Sequence, residues 1–308
     1  MGIWALELGE AGDLQRKAEL EEKLYVQRCQ VLGEDHEDTL KTLSNWIITL
    51  RDLENYEAAE PLLERLYETR CRLLGETHPD TLKALSNWAV NLGDLGQLQR
   101  EAELEEKLYA QRSQVLGEDH EDTLMTLSNW ALTLRDLEDY EAAEPLLERL
   151  YEKRCELLGE THPDTLKALS NWAVNLGDLG QLQREAELEE KLYAQRSQVL
   201  GENHASTLQT LSNWTITLRD LAQWEQMEKN AKILWEAQKQ ALGETAPKTL
   251  RAVSLLAQAM QQQGYHEQAL TLCDSIFGLE GLNKAGRRAL AEIYEANGQI
   301  EKADALRD

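Results

Sequence analysis

The chain repeats with a period of 42 residues. Six glycines keep that step, each preceded by Leu and followed by Glu: Gly33, Gly75, Gly117, Gly159, Gly201 and Gly243. Six tryptophans keep it as well: Trp4, Trp46, Trp88, Trp130, Trp172 and Trp214. A fixed period in this range predicts stacked units, none of which buries its apolar face alone. Because such arrays present extended surfaces to partners, the period favours binding over catalysis.

One unit of the repeat predicts a hairpin of two helices. Apolar residues fall on one face of the first helix at helical spacing: Leu82, Leu85, Trp88, Ala89 and Leu92. Pro79 suits the first helical position, where its missing N–H costs no hydrogen bond. We expect this helix to stop between residues 93 and 96. The second helix should run from about Leu98 to Leu116 and end at Gly117 in the left-handed conformation.

The second helix is predicted to have an apolar inner face and an acidic outer face. The inner face comprises Leu98, Ala102, Leu104, Leu108, Val115 and Leu116. The solvated outer face comprises Glu101, Glu103, Glu105 and Glu106. Such an amphipathic helix buries one side against its neighbours in the stack.

The repeat also predicts the domain organisation, a single array over residues 1–308. We expect a truncated repeat at 1–32, five regular repeats at 33–242, and divergent repeats that cap the array at 243–308. Residues 34–117 and 118–201 are near-identical copies, so the larger unit is a pair of repeats. Because the chain enters the repeat in mid-helix, we expect it to be a piece of a longer protein.

Charge and composition exclude several function classes. The formal net charge of −24 argues against nucleic acid, which requires a basic surface, and against anionic membranes. No apolar run is long enough to span a bilayer. Cys29, Cys71 and Cys155 share one phase of the repeat at about 10 Å spacing, too far apart for disulfides. We therefore expect free thiols and a cytoplasmic location.

Two sequence segments resemble the tetratricopeptide repeat, in the 42-residue form of kinesin light chains. The first is Leu74-Gly75-Glu76-Thr77-His78-Pro79-Asp80-Thr81-Leu82, and the second is Leu85-Ser86-Asn87-Trp88-Ala89, followed by Glu101-Ala102-Glu103. The resemblance implies an all-α fold, a right-handed superhelix whose first helices line a concave groove. In the light chains, an Asn of the matching segment lines that groove and holds the backbone of an extended peptide. The resemblance carries that role to Asn45, Asn87, Asn129, Asn171 and Asn213.

The asparagine ladder is the strongest functional signal in the sequence. An amide offers one donor and one acceptor group, which matches what a peptide backbone presents. The alternative, that each Asn bonds to the next helix of the stack, is equally open at this point. The neighbouring positions predicted on the same face are Lys41, Lys83, Met125 and Lys167, and Ile48, Val90, Leu132 and Val174. Aspartates on that face favour a basic or neutral ligand: Asp52, Asp94, Asp136, Asp178 and Asp220.

The other side-chain ladders have structural explanations. His36, His78, His120, His162 and His204 repeat about 10 Å apart, too far for a shared metal ion, so we expect them at helix starts. The tryptophans are expected in the core. Tyr25, Tyr67, Tyr109, Tyr151 and Tyr193 are expected to pack between second helices. No phosphate-binding loop, nucleophile motif or metal spacing occurs, so we expect no enzyme activity, no cofactor and no metal.

Two functions remain from this sequence. The first is a scaffold that binds a protein or an extended peptide, basic or neutral, in its groove. The second is a passive structural or sensor segment of a larger signalling protein, such as a STAND-type ATPase or a protease, whose other domains would be its partners. Positions 41 and 48 change between copies whereas Asn45 does not. Variation beside a constant ladder favours the first function.

Overall fold

Every regular element in the described part of the chain is an α-helix. The structure, a computed structural model, describes residues 13–276 and 284–307. Trp4 and residues 1–12 of the predicted truncated repeat lie outside the described residues. The chain divides by its internal contacts into two units, one ending at Lys153 and one beginning at Arg154. The all-α class predicted from the periodicity is confirmed.

Helices of two lengths alternate along the chain. The helices that begin in the first unit are α1 Leu14–Leu32, α2 Glu37–Asp52, α3 Tyr56–Leu74, α4 Pro79–Asp94, α5 Leu98–Leu116, α6 Glu121–Asp136 and α7 Tyr140–Leu158. The second unit contains α8 Pro163–Asp178, α9 Leu182–Leu200, α10 Ala205–Asp220, α11 Trp224–Leu242, α12 Pro247–Gln262, α13 His266–Ile276, α14 Lys284–Ala296 and α15 Ile300–Ala305. Each of α1 to α5 packs on the next helix, as does each of α8 to α14. Regular first helices have 16 residues and second helices 19, and α5 has the predicted bounds.

Histidines cap the first helices, as predicted for a role at the helix start. The Nδ1 atom of His78 accepts a hydrogen bond from the backbone N–H of Asp80 at 3.2 Å. The same cap begins α2, α6, α8 and α10. The bond satisfies one N–H of the first turn, which has no partner inside the helix. The ladder is therefore a series of N-caps that separate one hairpin from the next.

The glycine at the end of each second helix has a conformation that other residues rarely adopt. Gly117 has φ of 89° and ψ of 159°, and its N–H donates to the carbonyl of Ser113 at 3.1 Å. The positive φ agrees with the prediction. However, ψ is extended rather than left-handed helical, and this region is essentially limited to glycine. The chain therefore leaves the helix in an extended direction and reaches His120, which caps the next helix.

Tryptophan and tyrosine join successive hairpins in the core. Trp88 is buried, and its ring lies 5.8 Å from that of Tyr67. The ammonium of Lys107, on the following second helix, lies 5.2 Å from the centre of the Tyr67 ring. The predicted packing of the tyrosines between second helices is therefore incomplete, because each described ring pair joins a tyrosine to a first-helix tryptophan. Such tilted aromatic contacts stabilise beyond their buried area.

The predicted inner face of the second helix is wrong at its last turn. Ala102 and Leu108 are buried, but Val115 and Leu116 are exposed. Because α5 is three residues longer than α4, 19 against 16, its final turn extends past the helix that covers the rest of it. The apolar spacing in the sequence therefore continues to Val115 and Leu116, although no helix covers these two side chains.

Candidate functional site

Each regular first helix presents one stripe of exposed and half-buried side chains on the face away from the core. Asn45, Asn129 and Asn213 are exposed, and Asn87 and Asn171 are half-buried. On α4 the stripe comprises Lys83, Asn87, Val90 and Asp94, spaced so that all four fall on one helix face. We call this set of four positions the amide stripe. The opposite face of the same helix carries Leu85 and other core residues. The predicted site residues are therefore brought together on a face that packing leaves free.

The amide stripe recurs on the other regular first helices. In the first unit, α2 carries Lys41, Asn45, Ile48 and Asp52, and α6 carries Met125, Asn129, Leu132 and Asp136. In the second unit, α8 carries Lys167, Asn171, Val174 and Asp178, and α10 carries Gln209, Asn213, Ile216 and Asp220. The isoleucine, valines and methionine among the predicted residues expose between 40 and 48% of their surface, and Leu132 is half-buried.

The asparagine amides of the stripe make almost no hydrogen bonds within the fold. Across the described residues, the side chains of Asn45, Asn87, Asn129 and Asn171 make no hydrogen bond. The carbonyl of the Asn213 side chain accepts one from Gln209, on the same helix, at 2.9 Å. The alternative explanation, a bond from each Asn to the next helix, is thus not observed. A free amide on an exposed face keeps both its donor and its acceptor for a ligand.

Several charges of the stripe are already paired. The Arg51 guanidinium lies 3.0 Å from the Asp94 carboxylate, and the Lys41 ammonium lies 2.5 Å from Glu37. Arg219 pairs with Asp220 at 2.8 Å. The aspartates therefore attract a basic ligand less than their number suggests, because a neighbouring guanidinium offsets part of the charge. Exposed pairs of this kind are individually weak and screened by salt.

Two glutamates beside the stripe are not where the sequence predicted them. Glu105 is only 3% exposed, and Glu101 is half-buried, whereas both were expected on the solvated outer face. Burial raises the pKa of Glu105 to about 8, against a hydrogen bond from Thr133 of α6 that lowers it. Burial raises the pKa of Glu101 to about 7, and the charges of Asp136 and Asp94 raise it further.

A glycine explains why Glu101 turns inward. A Cβ atom at Gly93 would lie 2.5 Å from Oε1 of Glu101, so a larger residue would displace the carboxylate from this position. The pair recurs at twice the repeat period as Gly177 and Glu185, with the same close approach. The intervening repeats have arginine and alanine at these two positions, as at Arg51 and Ala59. This coupled alternation is the sequence signal that would have indicated the buried carboxylates.

Other kinds of site find no support in the described residues. No group of three or more histidines, cysteines or carboxylates there is arranged to hold a metal ion. The capping histidines already use Nδ1 to accept backbone hydrogen bonds. No helix among those described combines the length and apolarity needed to cross a bilayer.

Comparisons with known proteins agree with this architecture. The sequence profile of the tetratricopeptide repeat matches residues 38–114 and 122–198, half of the chain. No curated protein matches the sequence. A tetratricopeptide repeat-containing protein of Cytophaga hutchinsonii, in its C-terminal part, superposes with a TM-score of 0.65 at 11% identity, covering 94% of this chain and 99% of that one.

Two further solved structures share the fold. A putative kinesin light chain of Podosopora anserina, with nearly identical TPR-like repeats, superposes with a TM-score of 0.57 at 21% identity, covering 67% of this chain and 98% of that one. BtubC (BKLC) of P. vanneervenii superposes with a TM-score of 0.54 at 16% identity, covering 75% and 92%. At such identities the likeness concerns the fold alone.

Proposed function

Because the chain belongs to the tetratricopeptide repeat family, we propose that it is a protein-binding scaffold whose amide stripes hold an extended peptide. The observation that carries the proposal is that four of the five asparagine amides, on first-helix faces away from the core, make no hydrogen bond within the described residues. An extended backbone has one N–H and one C=O per residue, all of which require partners on leaving water. Each amide can bond to one of each.

The spacing of the amides suits an extended chain. Packed helices lie about 10 Å apart, and a β-strand rises about 3.3 Å per residue. Successive asparagines of the first unit would therefore meet every third peptide residue. Asn45, Asn87 and Asn129 together would hold about seven residues by that arithmetic. Asn171 and Asn213 would act in the same way in the second unit.

Sequence preference would come from the variable members of the stripe. Lys41 and Met125 occupy one position, and Ile48 and Leu132 another. The exposed apolar side chains would contact apolar residues of the peptide, since burial stabilises by about 25 cal/mol per Å². Because Arg51 already pairs with Asp94, we expect a neutral or weakly basic peptide.

The same proposal includes no catalytic site and no cofactor. The carboxylates repeat with the scaffold, whereas an active site is normally a single constellation of groups. The cysteines in the described residues are free thiols, which supports a reducing, cytoplasmic location.

Selection of peptides from a random phage-displayed library tests this proposal. We expect selected peptides to bind wild type and to lose at least tenfold in affinity to Asn87→Ala with Asn129→Ala, because each lost hydrogen bond costs about 1 kcal/mol. Glu64→Ala with Glu106→Ala, on second helices of the same unit, is the matched control and should bind normally. Equal binding by the asparagine variant, with its helicity unchanged, would exclude the amide stripe as the site.

A further inference from the structure

A cleft of about 640 Å³ lies between α11 and α13 in the second unit, with α12 as its floor. Its apolar lining comprises Trp235, Val253, Leu256, Met260, Leu272 and Ile276. Sites for small ligands have volumes of this order and mainly apolar walls with a few polar groups. The cleft lies apart from the amide stripes, whose residues do not line it.

The repeat shows what fills the same space in a regular hairpin. Between α3 and α5, the Arg100 guanidinium lies 2.8 Å from Glu60. The Lys107 ammonium lies over the Tyr67 ring. Both long side chains extend from the later helix across the space between the two second helices.

Short side chains replace both of these cations at the cleft. Four repeat periods after Arg100 and Lys107, the chain has Gln268 and Ser275. Both residues line the cleft. The cleft is therefore the space that two long cationic side chains occupy elsewhere in the array.

The cleft also has an aromatic ring with a cation beside it, as Tyr67 has in the regular hairpin, but the cation comes from a different helix. Trp235 occupies the tyrosine position of the ladder, and Lys239 of the same helix lies 5.6 Å from its ring centre. Lys239 also pairs with Glu244 at 2.6 Å, as Lys107 does with Glu76 at 3.8 Å. At Trp235 the cation beside the ring therefore comes from α11 itself and not from the later second helix. The space between α11 and α13 remains open to a ligand.

The polar groups at the rim indicate the charge of that ligand. Glu228 accepts a hydrogen bond from Gln263 at 2.6 Å, and Lys239 is paired with Glu244. Lys232 is exposed and makes no ion pair within the described ranges. It stands where the regular hairpin has Glu64, so the rim exchanges an acidic group for a basic one.

We propose that this cleft binds a small amphiphile, with its apolar body against Trp235 and Leu256 and its single anionic group near Lys232. The apolar body gains free energy by leaving water. The anion would lie near Lys232, whose ammonium pairs with no carboxylate among residues 13–276 and 284–307. Dodecanoate represents this class of ligand, and 8-anilinonaphthalene-1-sulfonate is a fluorescent probe of the same chemistry.

Filling the cleft with the side chains of a regular hairpin tests the proposal. We expect wild type to enhance the fluorescence of the probe, dodecanoate to displace it, and Gln268→Arg with Ser275→Lys to weaken binding at least tenfold. The control adds the same two side chains outside the lining, as Gln240→Lys with Gln262→Arg, and should bind as wild type does. Because the filling variant copies Arg100 and Lys107, it should keep the wild-type helicity.

A second variant tests the position of the charge. Lys232→Glu restores the glutamate of the regular hairpin and should weaken dodecanoate binding at least fivefold while leaving dodecanol binding unchanged. Absence of probe binding to wild type would overturn the proposal, as would binding that survives filling of the cleft. An equal loss of both alcohol and carboxylate in Lys232→Glu would overturn the assigned position of the anion.

Discussion

Raising the pH from 5 to 8 is expected to lower the thermal unfolding midpoint of this chain. Burial raises the pKa of Glu105 and of Glu189 to about 8, and of Glu101 and Glu185 to about 7. The ordinary value is 4.5. Between 4.5 and these values the folded chain binds more protons than the unfolded chain. Stability therefore falls with rising pH, by up to about 1.4 kcal/mol per pH unit for each such carboxyl.

The direction of the effect follows from the raised pKa. Below pH 4.5 these carboxyls are protonated in both states, so their neutral buried forms do not oppose folding. Above pH 8 they are ionised in both states, and the folded chain holds buried charge. Surface carboxylates whose pKa is lowered by a basic partner act in the opposite sense at more acidic pH: Asp35, Glu37, Glu160 and Asp274. We therefore expect maximal stability near pH 5.

Replacing the two buried glutamates whose pKa is raised to about 8 should remove most of this dependence. Glu105→Gln with Glu189→Gln keeps the shape and the hydrogen-bonding oxygen but has no charge to bury. At pH 8 we expect stabilisation on the order of 3 kcal/mol for each site. Circular dichroism melts at pH 5, 6.5 and 8 measure the effect. Glu106→Gln with Glu190→Gln, at exposed neighbouring positions, is the control. A pH slope equal in both variants would contradict the burial of these carboxyls.

Truncation of a ladder tryptophan is expected to be the most destabilising single change. Trp88 is 8% exposed and contacts Tyr67, and the Arg100 guanidinium lies 5.9 Å from its ring centre. Trp88→Ala removes these contacts and leaves a cavity between two hairpins. Such changes cost about 3–5 kcal/mol.

Two comparisons make the tryptophan prediction specific. Trp88→Leu should cost less, because leucine occupies the same repeat position at Leu256, where it is buried. Tyr265→Ala removes an exposed aromatic ring and should cost less than about 0.5 kcal/mol. Urea titrations followed by circular dichroism supply the midpoints. If Trp88→Ala unfolds at the same urea concentration as Tyr265→Ala, the ladder does not join the hairpins as described.

The sequence predicted the helices and the amide stripe because each depends on local spacing. Pro79 and Gly117 mark helix ends through backbone geometry that belongs to those residues alone. Asn87 falls opposite the apolar stripe by helical periodicity, so its place off the core face could be deduced without the neighbouring hairpin. That Asn87 is half-buried, whereas Asn129 is exposed, could not be deduced in this way. Helical periodicity does not test whether these asparagines bind a peptide, so that role remains a proposal.

The buried glutamates could not be predicted from their own helix. Periodicity places Glu105 away from the most apolar positions, and a charged residue is rarely buried without a partner. Its burial depends on α6, whose Thr133 hydrogen-bonds it. The inward position of Glu101 depends instead on Gly93, which lets its carboxylate approach α4. Val115 shows the reverse error, because helical spacing continues beyond the point where the neighbouring helix ends. Both errors concern packing between helices, and the spacing of residues along one helix carries no information about that packing.

Photo-crosslinking tests the central claim, that the amide stripes hold the peptide, most directly. Benzoylphenylalanine replaces Val90 on the stripe of α4 in one variant and Glu106 on the second helix α5 in another. With a peptide selected on wild type, we predict strong crosslinking from position 90, little from position 106, and loss of the former on Asn87→Ala with Asn129→Ala. Crosslinking from position 106 alone would place the peptide on the second helices and contradict the account.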